Sequence, residues 1–379
     1  MSHQFESRFV WLLAPLGMAS LFVAIVLRPV EARSAAAQVW TPFVLVAGLL
    51  LIGLVADADG LFAAAGHRLA RTARSGITIF VGVVVLVGAV TAVLNLDTAV
   101  AFLTPVLVYT ARGRGELEAP LLCGCLLLAN AGSLFLPGAN LTNLIVLGHF
   151  HLTGGQFFSR MWAPGLAALL VTAVVIGAVE HRALRIHSDD VEATEPFSLG
   201  LGLLAVIVAT VLVVVLRSPA IPVAATGVVV VGARIAHGKE RIEEAVRVLG
   251  LPVLVGLFGV AVAVGTLGRS WNGPAILLSH LDSWGTAVVA TLAAVLINNL
   301  PAAALLAAHR PSHPYSLLVG LNVGPNLLVT GSLAWFLWLR AARQAGARPS
   351  LATVTRLGTV AVPLSLAAAV GVLVLQGAH

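Results

Sequence analysis

Of the 16 acidic residues in the chain, only Asp97 lies inside a long apolar run, in Val93-Leu-Asn-Leu-Asp-Thr-Ala-Val100. A carboxylate in apolar surroundings is costly to keep charged, so it tends to face a cavity and carry function. The chemistry open to it is proton exchange. A tight turn at a lipid surface would also tolerate an Asp. Here, however, the flanking apolar arms are short, and Asn95 and Thr98 share the tip. A second polar tip, Ile297-Asn-Asn-Leu-Pro301, presents the two adjacent amides of Asn298 and Asn299 at the matching place. Pro301 suits the start of a returning helix, where its missing N–H is not needed. Asn can also serve as interhelical glue, but a hairpin tip favours a site.

Two further apolar runs are interrupted. The first reads Ala129-Asn-Ala-Gly-Ser-Leu-Phe-Leu-Pro-Gly-Ala-Asn-Leu-Thr-Asn143. Pro137 and Gly138 are expected to break the helix there, with Asn140 or Thr142 capping the half-helix that restarts. The second reads Leu321-Asn-Val-Gly-Pro-Asn-Leu-Leu-Val-Thr-Gly-Ser332, with its break at Gly324 and Pro325. Half-helix N-termini present free N–H groups and a positive dipole end. Asn95, Thr98, Asn140, Thr142, Asn143, Asn298, Asn299, Asn322 and Asn326 then form a candidate hydrogen-bonding cage, with Asp97 as its proton carrier. No Lys or Arg falls inside an apolar run, so a small neutral solute suits the lining, or an anion held by dipoles and amides.

Other constellations carry less. Cys123 and Cys125 point to different faces of a helix and read as packing residues, not metal ligands. The 11 histidines fall in loops, termini or run ends, so no metal or cofactor is expected; His149 and His151 are expected to be interfacial. A membrane enzyme would need a cluster of carboxylates or histidines, or a Ser/His pair, within the runs. A channel fits paired breaks less well than a transporter does.

Positioning these residues requires helices in lipid. Hydrophobic residues make up 59% of the chain and charged ones 10%, where a soluble domain carries roughly 25% charged. Apolar runs fall at about 9–27, 39–55, 77–94, 95–109, 120–150, 163–179, 197–216, 220–235, 248–267, 285–308, 315–339 and 356–375. Runs of about 20 residues cross a hydrocarbon core, where backbone groups must be satisfied internally. No cleavage site follows Phe9–Leu27, so that run is expected to be kept. The expected fold is an all-α integral membrane protein of about 10–11 transmembrane segments, with two oppositely oriented re-entrant hairpins and two broken helices.

Charge supports that topology. With a cytoplasmic N-terminus and two re-entrant hairpins, 16 of the 22 Lys and Arg residues fall inside and 6 outside, as the positive-inside rule requires. The net charge of +6 therefore needs no nucleic acid. The C-terminus is placed outside, and the Arg-rich composition suggests a bacterial inner membrane. The same parity inverts one hairpin relative to the other, the mark of inverted repeats. The expected organisation is an N-terminal span (1–38), a first repeat (39–180), a linker with two spans (181–247) and a second repeat (248–379). The acidic loop from Glu180 to Pro196 forms the seam, and Arg234–Arg247 is expected to be a surface helix. Paired Gly/Pro breaks in two halves point to a secondary transporter.

These segments resemble the ArsB arsenite-permease family, of the ion transporter superfamily that includes the divalent anion/sodium symporters. Asp97-Thr-Ala-Val-Ala-Phe-Leu-Thr-Pro105 is similar to its Asn-Asp-Gly hairpin ending in Thr-Pro. Asn298-Asn299-Leu300-Pro301 matches its Asn-Asn-x-Pro tip, and Gly331-Ser-Leu-Ala334 its Gly-Ser-Leu-Ala signature. The resemblance implies an elevator-type scaffold, a homodimer, substrate held between hairpin tips and broken helices, and export of arsenite or antimonite against protons. An ATPase partner is left open. The chain departs from the family at Asn95, one place early, and at Asn322 and Asn326, where the family carries Asp and Lys. Those replacements neutralise an internal charge pair. The alternative is a sodium- or proton-coupled permease for organic or inorganic anions, of dicarboxylate, citrate or sulfate type.

Overall fold

The computed structural model describes residues 2–72, 75–112, 114–185 and 200–377, without the side chains of residues 2–11, 72 and 115. The seam residues Asp189, Asp190, Glu192 and Glu195 lie outside the described residues, as do Arg74 and the Arg8 side chain. The chain is all-helical, with no β-strand among the described residues. Its first half runs α1 (Ser2–Leu27), α2 (Pro29–Ala58), α3 (Leu61–Thr72), α4 (Gly76–Leu94), α5 (Leu96–Ala111), α6 (Glu118–Gly132), α7 (Leu141–Leu147), α8 (Gly154–Val179) and α9 (His181–Leu184). There follow α10 (Leu201–Val215), α11 (Ala220–Ala236), α12 (Ile242–Leu249), α13 (Leu251–Ser270), α14 (Gly273–Ser279), α15 (Ser283–Ile297), α16 (Asn299–Leu306), α17 (Pro314–Val323), α18 (Ala334–Gln344) and α19 (Leu351–Leu375). One order of parts occurs twice: a long helix, a short one, a hairpin, a broken helix and a closing helix. It runs α2 to α8 and again α13 to α19.

Helix α6 is buried on every face from Pro120 to Gly132, and α17 from Pro314 to Val323. An apolar helix with no polar side belongs in a core, and these two broken helices form it. Each is flanked by the first arm of its own hairpin. Gly124 packs on Phe80 and Val83, and Gly132 on Gly88 and Thr91, so α4 and α6 run parallel. Gly320 packs on Ala287 and Ala290, and Gly324 on Thr291, so α15 and α17 do likewise. The closing helices α8 and α19 lie side by side, joined by a buried Thr172–Ser365 hydroxyl pair at 2.9 Å. On the periphery, α1 meets α13 through Gly17, Gly256 and Gly259, where a Cβ would collide with the facing backbone. Small residues bring apolar helices this close.

Among the described residues, five stretches are long and apolar enough to cross a membrane, by length and composition: α2, α4, α8, α12 with α13, and α19. Phe22, Val85, Val174 and Val229 point outward and exposed, an apolar surface that lipid covers. The hairpin arms are unequal. Helix α16 has 8 residues, but α4 has 19 and is itself of spanning length, so the expectation of short arms fails for the first hairpin. Arg234–Arg247 is only partly a surface helix: α11 runs on to Ala236 and α12 begins at Ile242.

Polar contacts gather at two ends. At one, Arg112 donates to the Ala345 carbonyl at 2.6 Å, Arg114 reaches the Ala70 carbonyl at 3.4 Å, and Arg356 lies 3.8 Å from Glu180. There too Arg234 pairs with Asp59 and, at 3.3 Å, with Glu240. At the other end Arg160 donates to the Tyr315 hydroxyl at 2.9 Å and Arg310 stacks over Phe150. The Gln38 amide there donates to Ile145 O at 2.8 Å and Ala307 O at 2.9 Å, and its oxygen accepts from Arg269. His149 Nε2 lies 2.7 Å from the same Ala307 carbonyl. Arg269 lies in the last turn of α13, which extends to Ser270, beyond the end of the apolar run at 267.

Candidate functional site

Both hairpins turn on a single residue. Asn95 (φ 95°, ψ 166°) ends α4 and begins α5; Asn298 (φ 75°, ψ 147°) ends α15 and begins α16. They are the two positive-φ residues other than glycine among the described residues. Asn tolerates this conformation better than most residues because its short side chain bonds locally. Asn95 Oδ1 accepts from the Thr98 N–H at 2.8 Å, and Asn298 Oδ1 from the Leu300 N–H at 3.3 Å. The true counterpart of Asn298 is therefore Asn95, and Asp97 corresponds to Leu300. The sequence matches the two tips as segments; the backbone sets their register residue by residue. Pro301 is the third residue of α16, not its first.

Asp97 is half-buried in the first turn of α5, and no described side chain bonds its carboxylate. Its neighbours Leu96 and Thr98 are buried. The helix N-terminus favours a negative charge there.

The broken helices interlock through asparagines. Helix α6 ends at Gly132, so the first break opens at Ser133, four residues before Pro137. Pro137 and Gly138 instead form a 3₁₀ turn, Pro137–Ala139, and Asn140 caps α7 through the Thr142 N–H at 3.3 Å. The second break opens at Gly324 and Pro325 as expected, in the 3₁₀ turn Gly324–Asn326, and helix resumes at α18. Asn322 joins the two. Its Nδ2 donates to Asn143 Oδ1 and Leu318 O, both at 2.8 Å. Its Oδ1 accepts from Asn140 Nδ2 at 2.6 Å and Thr142 Oγ1 at 3.3 Å. Ser133 Oγ lies 2.7 Å from both Asn322 Oδ1 and Asn130 O, and its one proton serves one of them. Asn326 Oδ1 accepts from Asn130 Nδ2 at 2.9 Å, and its Nδ2 donates to Leu127 O at 3.0 Å. Asn322 and Asn326 thus bond the first broken helix, not each other.

Backbone groups fix which way each amide points. Leu318 O, Leu127 O and Leu126 O require the Nδ2 of Asn322, Asn326 and Asn130 to face them. Ser133 O and Leu136 O do the same for Asn143 at 2.7 and 3.1 Å. The Thr98 N–H requires the oxygen of Asn95, so the Asn95 nitrogen is the free end. Trp335 Nε1 donates to Pro325 O at 2.8 Å and Trp338 Nε1 to Leu122 O at 2.9 Å, occupying carbonyls along both broken helices.

The predicted cage therefore divides. Asn140, Thr142, Asn143 and Asn322 meet directly, and Asn326 joins them through Asn130; every side-chain nitrogen and oxygen of Asn140, Asn143, Asn322 and Asn326 has at least one protein partner in the crossing. Asn95 and Thr98 stand apart at the first tip. Asn298 is consumed in a clasp, with Nδ2 donating to Thr330 O at 3.1 Å, while the Asn299 N–H donates to Gly331 O at 2.8 Å. Buried side-chain atoms without a partner include Thr91 Oγ1, Asn95 Nδ2, Thr98 Oγ1, Asn130 Oδ1 and Ser332 Oγ. Sequence reasoning left Thr91, Asn130, Ser133 and Ser332 out of the cage. Asn130, Ser133 and Ser332 lie within the interrupted runs, while Thr91 sits one turn before Asn95 with no motif around it.

Two cavities lie toward opposite ends of the first broken helix, one at its break and one at the start of α6. One of about 390 Å³ is bordered by Thr41, His151 and Arg217 and reaches Pro137. The other, of about 370 Å³, is bordered by Glu116, Glu118, Glu180 and Arg348 and reaches Cys123 and Trp338. Crossed broken helices, hairpins on a single turn residue and an apolar outer surface define a multi-pass membrane transporter.

The family model for citrate transporters, CitMHS, matches residues 8–319, and the chain belongs to that family. It is 24% identical over 367 residues to an arsenical pump membrane protein of Escherichia coli strain K12, covering 87% of this chain and 85% of that one. An arsenical pump membrane protein of Yersinia enterocolitica is 23% identical over 341 residues, covering 81% and 79%. The crystal structure of the Alcanivorax borkumensis YdaH transporter, described as having an unusual topology, superposes with a TM-score of 0.55 at 14% identity. It covers 99% of this chain and 98% of that one.

Proposed function

We propose that the chain exports a small neutral oxyacid of the arsenite or antimonite type in exchange for protons. The observation that carries this reading is Asp97, an acid with no bonding partner among the described residues, at a tip where Asn95 Nδ2 and Thr98 Oγ1 are neutral and also unmet. Ionised Asp97 accepts a hydrogen bond from a solute hydroxyl; a proton arriving from outside neutralises it and releases the solute. The names of the arsenical pump relatives support the substrate class.

In this reading α2–α8 and α13–α19 are inverted repeats, and the crossing with its hairpins moves as a unit in an elevator-type homodimer. The cavities at opposite ends suit access from each side in turn. The end carrying Arg112, Arg234 and Arg356 is cytoplasmic, with the N-terminus inside and the C-terminus outside a bacterial inner membrane.

Proteoliposomes under an imposed pH gradient test the coupling. Wild type accumulates arsenite with the gradient, and Asp97→Asn loses at least roughly tenfold of the driven flux, the scale of a lost acid–base group. Equal flux in both removes Asp97 from the coupling role.

The family description favours a second reading, a sodium- or proton-coupled anion permease of citrate type. Citrate flux that follows a sodium gradient and ignores a pH gradient selects its sodium-coupled form. Citrate flux driven by protons, without arsenite flux, selects its proton-coupled form.

A further inference from the structure

We infer that Gln38 is a latch: its amide fastens the ends of α7 and α16 to α2 and α13 in the conformation of this structure, and lets go each time the carrier moves. This rests on the reading above in which the crossing and its hairpins move as a unit. In that reading α7 and α16 travel with the broken helices, while α2 and α13 stand beside them.

One side chain makes every bond of the latch. Gln38 Nε2 donates to Ile145 O at 2.8 Å and to Ala307 O at 2.9 Å. Ile145 lies in the last turn of α7 and Ala307 directly follows α16, and carbonyls at helix C-termini are short of intrahelical donors. Gln38 Oε1 accepts from Arg269, which also donates to Gly265 O of its own helix at 3.0 Å. A guanidinium only donates, so Arg269 fixes which end of the amide is oxygen and leaves the nitrogen for the two carbonyls. His149 Nε2 lies 2.7 Å from Ala307 O and 3.3 Å from the Gln38 nitrogen, and each tautomer serves one of them. One residue of α2 thus holds ends from both halves of the chain, 107 and 269 positions away.

The packing around the latch is different in kind. Gly265 and Gly268 of α13 lie against Ala304 O, Leu305 O and Ala308, and Gly53 of α2 lies against the Thr98 methyl and Phe102. Apolar burial between such small faces is non-directional and re-forms after a slide. Hydrogen bonds fail once donor and acceptor part by about an ångström. The bonds of Gln38 share one amide and break together, and Gln38 is half-buried, so water can replace them once they part. The set is strong enough to bias one conformation and weak enough to release it.

Two measurements on the full chain in vesicles test this. Trp40 and His151, two residues from Gln38 and His149, are exposed. Spin labels on Trp40→Cys and His151→Cys report their separation, since Cys123 and Cys125 are buried. Gln38→Leu is expected to shift the ratio of latched to parted distances at least roughly tenfold towards parted, the scale of the lost bonds. A merely structural Gln38 would lower the melting temperature and leave the distances unchanged, which overturns the inference. The second measurement is a lock. A Cβ at Gly148 would lie 3.3 Å from Gln38 Cγ, where a cysteine sulfur would sit, so Gln38→Cys with Gly148→Cys can close a disulfide in the latched conformation. The oxidised pair is expected to keep thermal protection by arsenite and to lose at least roughly tenfold of its flux. Flux returns when the pair is reduced by a phosphine and capped as S-methyl thiols, which leaves no engineered thiol to bind arsenite. An oxidised pair that carries arsenite as fast as the capped pair overturns the latch and leaves the oxyacid reading standing; so does flux lost together with protection, because the cross-link has then closed the site. Wild type that moves neither arsenite nor antimonite overturns the oxyacid reading, while the distance measurement, which needs no solute, still decides the latch.

Discussion

At the first hairpin tip Asn95 is 2% exposed and keeps a free Nδ2, with unmet Thr91 and Thr98 hydroxyls nearby. At the second, Asn298 commits both ends of its amide, to the Leu300 N–H and the Thr330 carbonyl. The Asn299 N–H donates to Gly331 O and the Thr330 hydroxyl to Val295 O at 2.8 Å. The backbone turn is the same in both, so the turn itself does not decide what a tip is for. The second tip fastens its hairpin to the segment after its own break. The first leaves polar atoms buried and unpaired, at about 1–3 kcal/mol each if nothing meets them. A fold keeps such a deficit where another partner arrives.

The comparison holds only while both tips lean on an intact crossing, and the largest effect comes from removing that. Asn322→Leu strips partners from the buried amides of Asn140 and Asn143 and removes the side-chain donor that Leu318 O accepts. Destabilisation of about 3–5 kcal/mol is expected, read as a collapsed folded yield and early melting. Arsenite protection per folded molecule is expected to stay near wild type, since both protons of the Asn322 amide are already bonded to protein. Normal melting with lost protection would return Asn322 to the binding site.

This division between crossing and tips was half legible in the sequence. The helices were legible because so few charges interrupt the apolar runs, and Gly324–Pro325 marked its break directly. The first break was misplaced because α6 is apolar all round: nothing periodic announces that it stops at Gly132, and Pro137 is a louder signal than Ser133. Asp97 drew attention as the lone acid, yet the turn belongs to Asn95, which only backbone dihedrals reveal. Which asparagines are saturated depends on partners up to 199 positions away, as between Asn326 and Leu127. No local pattern encodes that. Arg269 falls outside the apolar run because that run ends at 267, about one turn short of where the helix does.

Glycine separates turn from side chain at each tip, since it adopts positive φ freely. Asn298→Gly keeps the turn but loses the cap and the Thr330 bond, at about 1–2 kcal/mol of stability. Asn95→Gly loses only a cap and also removes a stranded donor, so its stability changes by under about 1 kcal/mol. Transport is expected to rank them the other way, with roughly tenfold lower arsenite flux for Asn95→Gly and a smaller loss for Asn298→Gly. Both quantities come from one preparation, by thermal unfolding and vesicle flux. If Asn298→Gly loses more flux and less stability than Asn95→Gly, the two tips have been assigned the wrong way round.

The smallest effect probes the clasp alone. Thr330→Val preserves shape and β-branching and deletes only the hydroxyl bond to Val295 O. Thr330 is exposed, so no buried group is orphaned beyond that carbonyl, and about 0.5–1.5 kcal/mol is expected. The effect should stay local. Hydrogen exchange at the Asn299 amide, which donates to Gly331 O beside the substituted residue, speeds up, while amides around Asn95 keep wild-type rates. Affinity for arsenite is unchanged, because the clasp uses atoms outside the unmet set. Faster exchange at Asn95 as well would mean that the tips move as one through the Asn130–Asn326 pair. Their contrast would then describe one coupled element, not two independent ones.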